Sequence, residues 1–393
     1  MLDQAIRPAG FVYLKRRDSG NITATIHFLS SSEFRAIADK KLLPGVTRLR
    51  IALIAPPFIS VPPGEYGGTE LFIAQLAEGL QEASATIVVY ANGESRVAAE
   101  VRWIYEHSQW PIKAQEQGWL KDLNHESWAV QNAIADCDVV HFHTPQGLVF
   151  SRFASQPAVL TLHGPHDPKL SDFFSHFPDV HYVCISEDQC RRESMPHRRT
   201  IHHGIDLSQY QLVEHKQPYL SFIGRIAPIK GTHIAIEVAR RAGVPLKIAG
   251  EVQPAYQEYF ETKVKPEIDG KLVQYVGPAN LALKNELLGN SIAMLFPIQW
   301  NEPFGLVMVE AMACGTPVLA MPGGSVPEVI QNGVSGHICR TVPEMVKKVA
   351  DLHFDPHVLR QYVEENFSLE RMVRDYLALY SDVIRAAETR RVA

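Results

Sequence analysis

Leu295-Phe-Pro-Ile-Gln-Trp-Asn-Glu302-Pro-Phe-Gly-Leu-Val-Met-Val-Glu310-Ala-Met-Ala-Cys-Gly-Thr-Pro-Val318 is the most informative stretch of this 393-residue chain. Its pattern predicts an apolar strand ending at about Pro297, a loop carrying Glu302, and a helix starting near Phe304 or Gly305. The first amides of such a helix, at Gly305, Leu306 and Val307, lack intrahelical acceptors. With the positive pole of the helix dipole they attract phosphate. Glu302 lies just before the helix and Glu310 inside it, so both can face one crevice. A carboxylate accepts several hydrogen bonds at once and suits a hydroxyl-rich ligand. An exposed acidic helix start would show the same local pattern, so this stretch alone leaves both readings open.

Outward from this stretch the chain repeats strand, loop and helix. Tyr219–Ile223, Pro245–Ala249, Leu272–Val276, Ala293–Pro297 and Pro317–Ala320 read as strands, with Gly231–Ala242 a helix between the first two. An earlier round of the same rhythm starts at Arg50-Ile-Ala-Leu-Ile-Ala55 and continues through a helix at Glu70–Leu80. Further short apolar runs follow at Ala85–Tyr90, Asp138–Phe142, Ala158–Leu162 and His181–Ile185. Strands apolar on both faces, alternating with helices, predict mostly parallel sheets covered on both sides, an α/β class. The polar stretch His202–Gln217 reads as a linker, giving an N-terminal domain over 50–205 and a C-terminal domain over 206–370. The last long helix, Leu369–Ala387, would close the second domain, and its portion from 371 to 393 is expected to cross back to the first. Residues 1–49 stand outside the rhythm. Phe11–Arg16 and Ile22–Leu29 read as a hairpin about Asp18-Ser-Gly-Asn21, and a capped helix starts at Ser31. An extra edge hairpin or a contact in a homo-oligomer is the expected role.

Composition narrows the function classes. Hydrophobic residues at 46% and charged residues at 21% suit ordinary globular cores. A formal net charge of −5 argues against a nucleic-acid partner, which favours a basic stripe. No apolar run approaches the roughly 18 residues of a membrane span, and Met1-Leu2-Asp3-Gln4 lacks a signal-peptide layout. The 5 cysteines form no C-x-x-C pair, which points to a reducing compartment. The expectation is a soluble, cytoplasmic protein without membrane contact.

Three further segments sit where open α/β sheets bind ligands. Phe222-Ile-Gly224-Arg225-Ile-Ala-Pro-Ile-Lys230-Gly231 places two cations between a strand and a helix, where they could neutralise a diphosphate; two solvated loop cations are the plainer reading. Pro63-Gly-Glu-Tyr-Gly67-Gly68-Thr69-Glu70 pairs two glycines before a helix, which lets backbone approach a phosphate closely. Thr161-Leu-His163-Gly164 puts a histidine at a strand's end.

These features together resemble glycosyltransferase family 4, whose members have the GT-B fold of two facing Rossmann-like domains with parallel sheets and an interdomain cleft. The resemblance runs from Arg50 to Glu388 and is strongest from Tyr219 to Gly336. The two glutamates of Asn301-Glu302-Pro-Phe-Gly-Leu-Val-Met-Val-Glu310 are its most specific mark, followed by Gly323-Gly-Ser-Val-Pro-Glu328. The pairing of Tyr66-Gly-Gly-Thr-Glu70 with Trp300-Asn-Glu-Pro-Phe-Gly-Leu306 is similar to bacterial enzymes described as tetrahydrobiopterin glucosyltransferases. The resemblance implies a retaining, metal-independent hexosyltransferase with a nucleoside-diphosphate sugar donor, UDP-glucose by preference, and a small-molecule or glycan acceptor. It needs no cofactor. Glu310 would hold the ribose, Glu302 the sugar hydroxyls, and the backbone at Phe304, Gly305, Leu306 and Val307 sugar and phosphate. Gly224, Arg225 and Lys230 would face the diphosphate, Gly67 and Gly68 would line its other side, and His163 would lie beside the reacting sugar. A nucleotide-sugar epimerase and a non-catalytic nucleotide-sugar binding module share these donor features.

Other signals are blander. His141-Phe-His143 puts two imidazoles on one strand face as in some zinc hydrolases, but no carboxylate follows at ligand spacing and 17 histidines make chance pairs common. Trp103, Trp110, Trp119 and Trp128 crowd one stretch. They read as core or interface packing, with an acceptor pocket as the alternative. Arg191, Arg192, Arg198 and Arg199 read as solvated loop cations rather than an anionic-membrane contact.

Overall fold

The computed structural model describes residues 49–392 except 65, 66 and 113, together with the backbone of 11–13 and 25–27. Phe11–Tyr13 (β1) and Thr25–His27 (β2) pair antiparallel, with Phe11 opposite His27. The turn expected at Asp18–Asn21 and the helix expected from Ser31 lie outside the described residues.

From Leu49 onward the chain forms one compact unit holding two parallel sheets. The first has seven strands in the order β5-β4-β3-β6-β7-β8-β9. They are β3 Arg50–Ile54, β4 Thr86–Tyr90, β5 Glu100–Arg102, β6 Val139–Phe142, β7 Ala158–Leu162, β8 His181–Cys184 and β9 Arg198–Thr200. The second has six in the order β12-β11-β10-β13-β14-β15. These are β10 Gln217–Ile223, β11 Leu246–Ala249, β12 Val273–Tyr275, β13 Ser291–Phe296, β14 Val318–Ala320 and β15 Gly336–Ile338. Every residue of β6 and β7 is buried, as expected of strands covered by helices on both faces.

Strand order fixes where ligands can enter. The chain runs outward from β3 to β5, returns to β6 beside β3, and then runs outward the other way. The second sheet repeats this from β10 and β13. Between β3 and β6, and between β10 and β13, the loops after the strands diverge and open a crevice at the strands' C-terminal ends.

The helices that frame these crevices are α1 Gly68–Glu82, α2 Gln115–Asp136, α3 Glu187–Arg192, α4 Thr232–Ala242, α5 Leu306–Ala313 and α6 Leu369–Val392. Helix α5 begins at Leu306 because Gly305, at φ 78°, takes a left-handed conformation that breaks the incoming strand direction. Helix α6 belongs to the first core. Met372, Val373, Tyr376, Leu379, Tyr380 and Val383 recur at helical spacing and pack with Ile51, Leu53, Phe72 and Leu76. Beside α6, Ile205 pairs with the backbone at Phe367 and Leu369, so the two chain crossings between the halves are hydrogen-bonded to each other. The stretch read as a polar linker is shorter and more structured than expected. Gln217 opens β10, Leu207–Gln209 forms a 3-10 turn, and Tyr210 is buried.

Candidate active site

The crevice between β10 and β13 gathers the charged residues of the two motif loops. After β10 the chain passes Gly224 and Arg225, then a short turn Pro228–Lys230, then Gly231 at φ 74°. A Cβ at Gly231 would lie 2.0 Å from the Pro297 carbonyl oxygen, so only glycine lets the two loops touch. That closeness brings Lys230 Nζ to within 2.6 Å of Glu302 Oε2. Trp300 Nε1 donates to the same oxygen at 2.8 Å, and the Lys230 ammonium sits 4.8 Å from the Trp300 ring centroid. Both bonds converge on Oε2, which leaves Oε1 with open lone pairs. The ion pair is largely buried, with side chains 16% and 8% exposed.

Arg225 donates to Gln253 Oε1 at 3.2 Å and lies over the Tyr256 ring, while its Nε is buried without a partner. A buried N–H on a permanent cation is a ready site for an anionic oxygen. Glu310 lies a turn inside α5 and is 2% exposed. It accepts from Tyr210 Oη at 2.9 Å and from Lys284 Nζ at 2.9 and 3.2 Å. Each glutamate therefore has its own lysine. Lys284 and Tyr210 carried no signal in the sequence, since they lie 26 and 100 residues from Glu310 and only the fold brings them there. The Phe304 side chain is buried against His203 and Phe367 rather than in the crevice, so its backbone alone is available to a ligand. The amides of Leu306 and Val307, at the first positions of α5, have no intrahelical acceptor.

Across from this crevice, three histidines converge on Phe72, and a fourth, His141, packs against His143 at 4.2 Å between ring centroids. The ring centroids of His143, His163 and His203 lie 5.7, 5.0 and 4.7 Å from that of Phe72. His203 also meets Phe304 edge-on at 5.1 Å, which joins the two halves. His143 Nδ1 and His163 Nε2 are 3.0 Å apart. His143 Nε2 is buried without a partner, so the His143–His163 hydrogen bond is that ring's one polar contact among the described residues. Burial pushes His163 down to about 3 and holds His141, His143 and His203 well below the usual imidazole range. All four are neutral near pH 7. In the sequence His143 stands out only beside His141, as a possible metal pair, and His203 carries no signal, because only the fold brings them to His163.

The zinc reading of His141 and His143 meets a chemical obstacle. His141 Nδ1 is bonded to Tyr380 Oη and Nε2 to Thr161 Oγ1, both at 2.8 Å, which leaves no nitrogen for a metal. Among the described residues no group of three His, Cys, Asp or Glu could hold a metal ion. Nor is any described helix long and apolar enough to cross a membrane.

Gly67 and Gly68 stand at the start of α1. A Cβ at Gly67 would crowd Pro63 and Glu70, whereas one at Gly68, Gly164 or Gly224 would meet nothing within 4 Å. Packing does not require the last three to be glycine, and they leave open space at the strand ends. Trp128 packs against Tyr90, but Trp103, Trp110 and Trp119 are about half exposed and so are not core residues. The arginine cluster is committed to the protein itself. Arg192 pairs with Asp188, Arg199 with Asp382, and Arg198 donates to the Cys190 and Met195 carbonyls. Glu328 closes the interface by accepting from the amides of Glu187 and Asp188 at 2.6 Å each, at the start of α3, and by pairing with His202 at 3.0 Å.

Two family models match this chain. The model described as Glycosyltransferase Family 4 covers residues 66–209, and that described as Glycosyl transferases group 1 covers 206–367. N-acetyl-alpha-D-glucosaminyl L-malate synthase of Bacillus anthracis is 36% identical over 109 residues, 25% of this chain and 28% of that protein. Glycogen synthase of Mycobacterium tuberculosis (strain ATCC 25618 / H37Rv) is 27% identical over 259 residues, 56% of this chain and 61% of that protein. The chain therefore spans less than two thirds of these curated relatives. Sucrose-phosphate synthase from Thermosynechococcus elongatus superposes with a TM-score of 0.72 at 18% identity, covering 86% of this chain and 100% of that one. Anabaena HepE in complex with UDP-glucose gives 0.67 at 18%, covering 85% and 100%. The two models together run from residue 66 to 367, and the two parallel sheets superpose on these solved structures: the chain belongs to the family 4 glycosyltransferases and has their GT-B fold.

Proposed function

We propose that this protein transfers a hexose, glucose by preference, from a UDP-linked donor to an acceptor held by the N-terminal half, with retention at the anomeric carbon. The observation that carries the reading is the Arg225, Lys230 and Glu302 cluster at the switch point of the second sheet, where Arg225 Nε is buried and unpaired. The UDP-glucose complex of the structurally similar HepE supports the choice of donor.

In this reading the uridine ribose sits on Glu310, whose carboxylate keeps a lone pair beyond its bonds to Tyr210 and Lys284. The diphosphate lies along Arg225, Lys230 and the first amides of α5, with Gly67 and Gly68 opposite. Glu302 Oε1 and the neutral His163 hold sugar hydroxyls. As the bond from the anomeric carbon to the phosphate oxygen breaks, negative charge grows on the diphosphate, where fixed cations and amides stabilise it. These groups supply the positive charge that a divalent metal supplies in other transferases. The acceptor oxygen forms the new bond on the face the diphosphate leaves, and its proton passes to a donor phosphate oxygen. No covalent bond to Glu302 is needed.

The test is donor turnover with UDP-glucose and a panel of other nucleotide sugars, with and without acceptors. Acceptor-dependent release of UDP supports a transferase. Conversion of the donor without any acceptor would point to an epimerase, and nucleotide binding without turnover to a binding module.

A further inference from the structure

The first sheet has a switch point of its own, between β3 and β6, and a cavity of about 450 Å3 opens there. Phe58 reaches it from the loop after β3 and Gln146 from the loop after β6. Helix α2 precedes β6 and so starts at the same edge, and it contributes Trp119 and Asp122. Ile112 completes an apolar wall. This edge faces the second half of the molecule, since His163, after β7, and α3, after β8, meet His203 and Glu328 there.

The cavity has one polar feature that packing does not explain. Asp122 is 2% exposed and its Oδ1 is buried without a hydrogen-bond partner, as is Gln146 Oε1. Leaving a buried carboxyl oxygen unpaired is costly unless something occupies the site. One turn on, Glu126 is fully buried, accepts from Thr144 Oγ1 at 2.5 Å and presses against Gly147. Burial pushes Asp122 up to about 7 and, with the charge of Asp122, raises Glu126 well above the carboxylate range. A site that penalises the charge of its own carboxyls also penalises a further buried anion, while the unpaired Asp122 and Gln146 oxygens accept from hydrogen-bond donors. Trp119 is about half exposed at the rim, and Phe58 presents a second aromatic ring.

We propose that this cavity is where the acceptor docks, and that the acceptor is an uncharged or cationic ring compound stacked on Trp119 and Phe58 with N–H or O–H donors on Asp122. The proposal rests on the transferase reading and adds the acceptor class to it. Aromatic walls suit a planar ring, and a buried carboxyl suits a donor edge and excludes phosphorylated or carboxylated acceptors. Asp122 and Trp119 are then acceptor-binding residues, remote in sequence from the donor motifs.

4-Aminobenzamidine, a fluorescent ring with a cationic fork of N–H donors, is the probe, titrated into the full-length protein beside a separate titration with UDP. The expected result is one saturable site, weakened about tenfold or more by Asp122→Asn and by Trp119→Ala, with UDP affinity unchanged in both. Trp119 is half exposed and Asp122→Asn keeps the side chain's shape while removing a buried charge, so both variants should fold; thermal melts check this, and Trp119→Phe and Asp122→Ser serve as second variants. Phenyl phosphate should not displace the probe. Equal probe affinity in all variants, or displacement by phenyl phosphate as effective as by unlabelled benzamidine, would overturn the proposal. Loss of UDP binding by the unmodified protein would instead strike the donor reading and leave the probe result standing.

Discussion

Lys230→Ala is the substitution whose effects on stability and on turnover can be told apart. Lys230 Nζ and Glu302 Oε2 are 2.6 Å apart in a pair whose side chains are 16% and 8% exposed. Removing the lysine leaves a buried carboxylate with one remaining donor, Trp300 Nε1. Breaking a buried pair from one side costs about 3–5 kcal/mol. The second substitution, Glu302→Gln, removes the stranded charge, so Lys230→Ala/Glu302→Gln should recover most of that loss, giving a coupling of roughly 2–3 kcal/mol. Turnover should not follow. The leaving diphosphate still lacks its cation, and removing a preorganised electrostatic contact costs a factor of about 100 or more, or about 2.7 kcal/mol of barrier. Urea unfolding of the four proteins in the cycle gives the first quantity, and UDP release under saturating donor the second. The reasoning fails if Lys230→Ala unfolds at the same urea concentration as the unmodified protein. It also fails if the double substitution restores turnover, because Lys230 would then act only by neutralising the Glu302 charge.

Arg225→Ala should also lower turnover by about 100-fold or more, but with little loss of stability, because its Nε leaves no buried partner stranded; near-normal UDP release would remove it from the leaving-group role. Glu310→Ala should raise the Kd for UDP while changing kcat less, and an unchanged Kd by calorimetry would refute the ribose contact. Stability should fall as pH drops below about 6.5, since the buried histidines have depressed values in the fold and their stabilisation is lost as unfolding lets them protonate. Asp122 and Glu126 act with the opposite sign: their values are raised in the fold, so their contribution is present below about pH 4 and is lost as pH rises, through about 7 for Asp122. Asp122→Asn should therefore unfold at a higher urea concentration than the unmodified protein at pH 8 and at nearly the same one at pH 4; equal midpoints at both would show that the carboxyl is not desolvated.

Much of the fold was legible in the sequence because its strands are covered on both faces. Runs such as Ala158–Leu162 and Asp138–Phe142 stand out by composition alone, and Gly231 and Gly305 mark the turns into α4 and α5. The edge strands Glu100–Arg102 and Arg198–Thr200 did not stand out, since charge on an edge hides the apolar signal. Helix α2 was missed for a related reason. Its inward face carries Asp122, His125 and Glu126, so the usual apolar stripe is interrupted by buried polar groups. The donor site shows the same division. Arg225, Lys230, Glu302 and Glu310 sit in local strand-to-helix patterns that a sequence displays. Lys284, Tyr210, His143 and His203 join them through contacts between distant segments, which no local pattern records.

The most direct test of the donor site is a crystal structure of this protein with UDP-glucose. The account predicts the ribose against Glu310, the diphosphate along Arg225, Lys230 and the start of α5, and the glucose beside Glu302 and His163. Density for the nucleotide at the β3–β6 cavity, or away from both crevices, would contradict it.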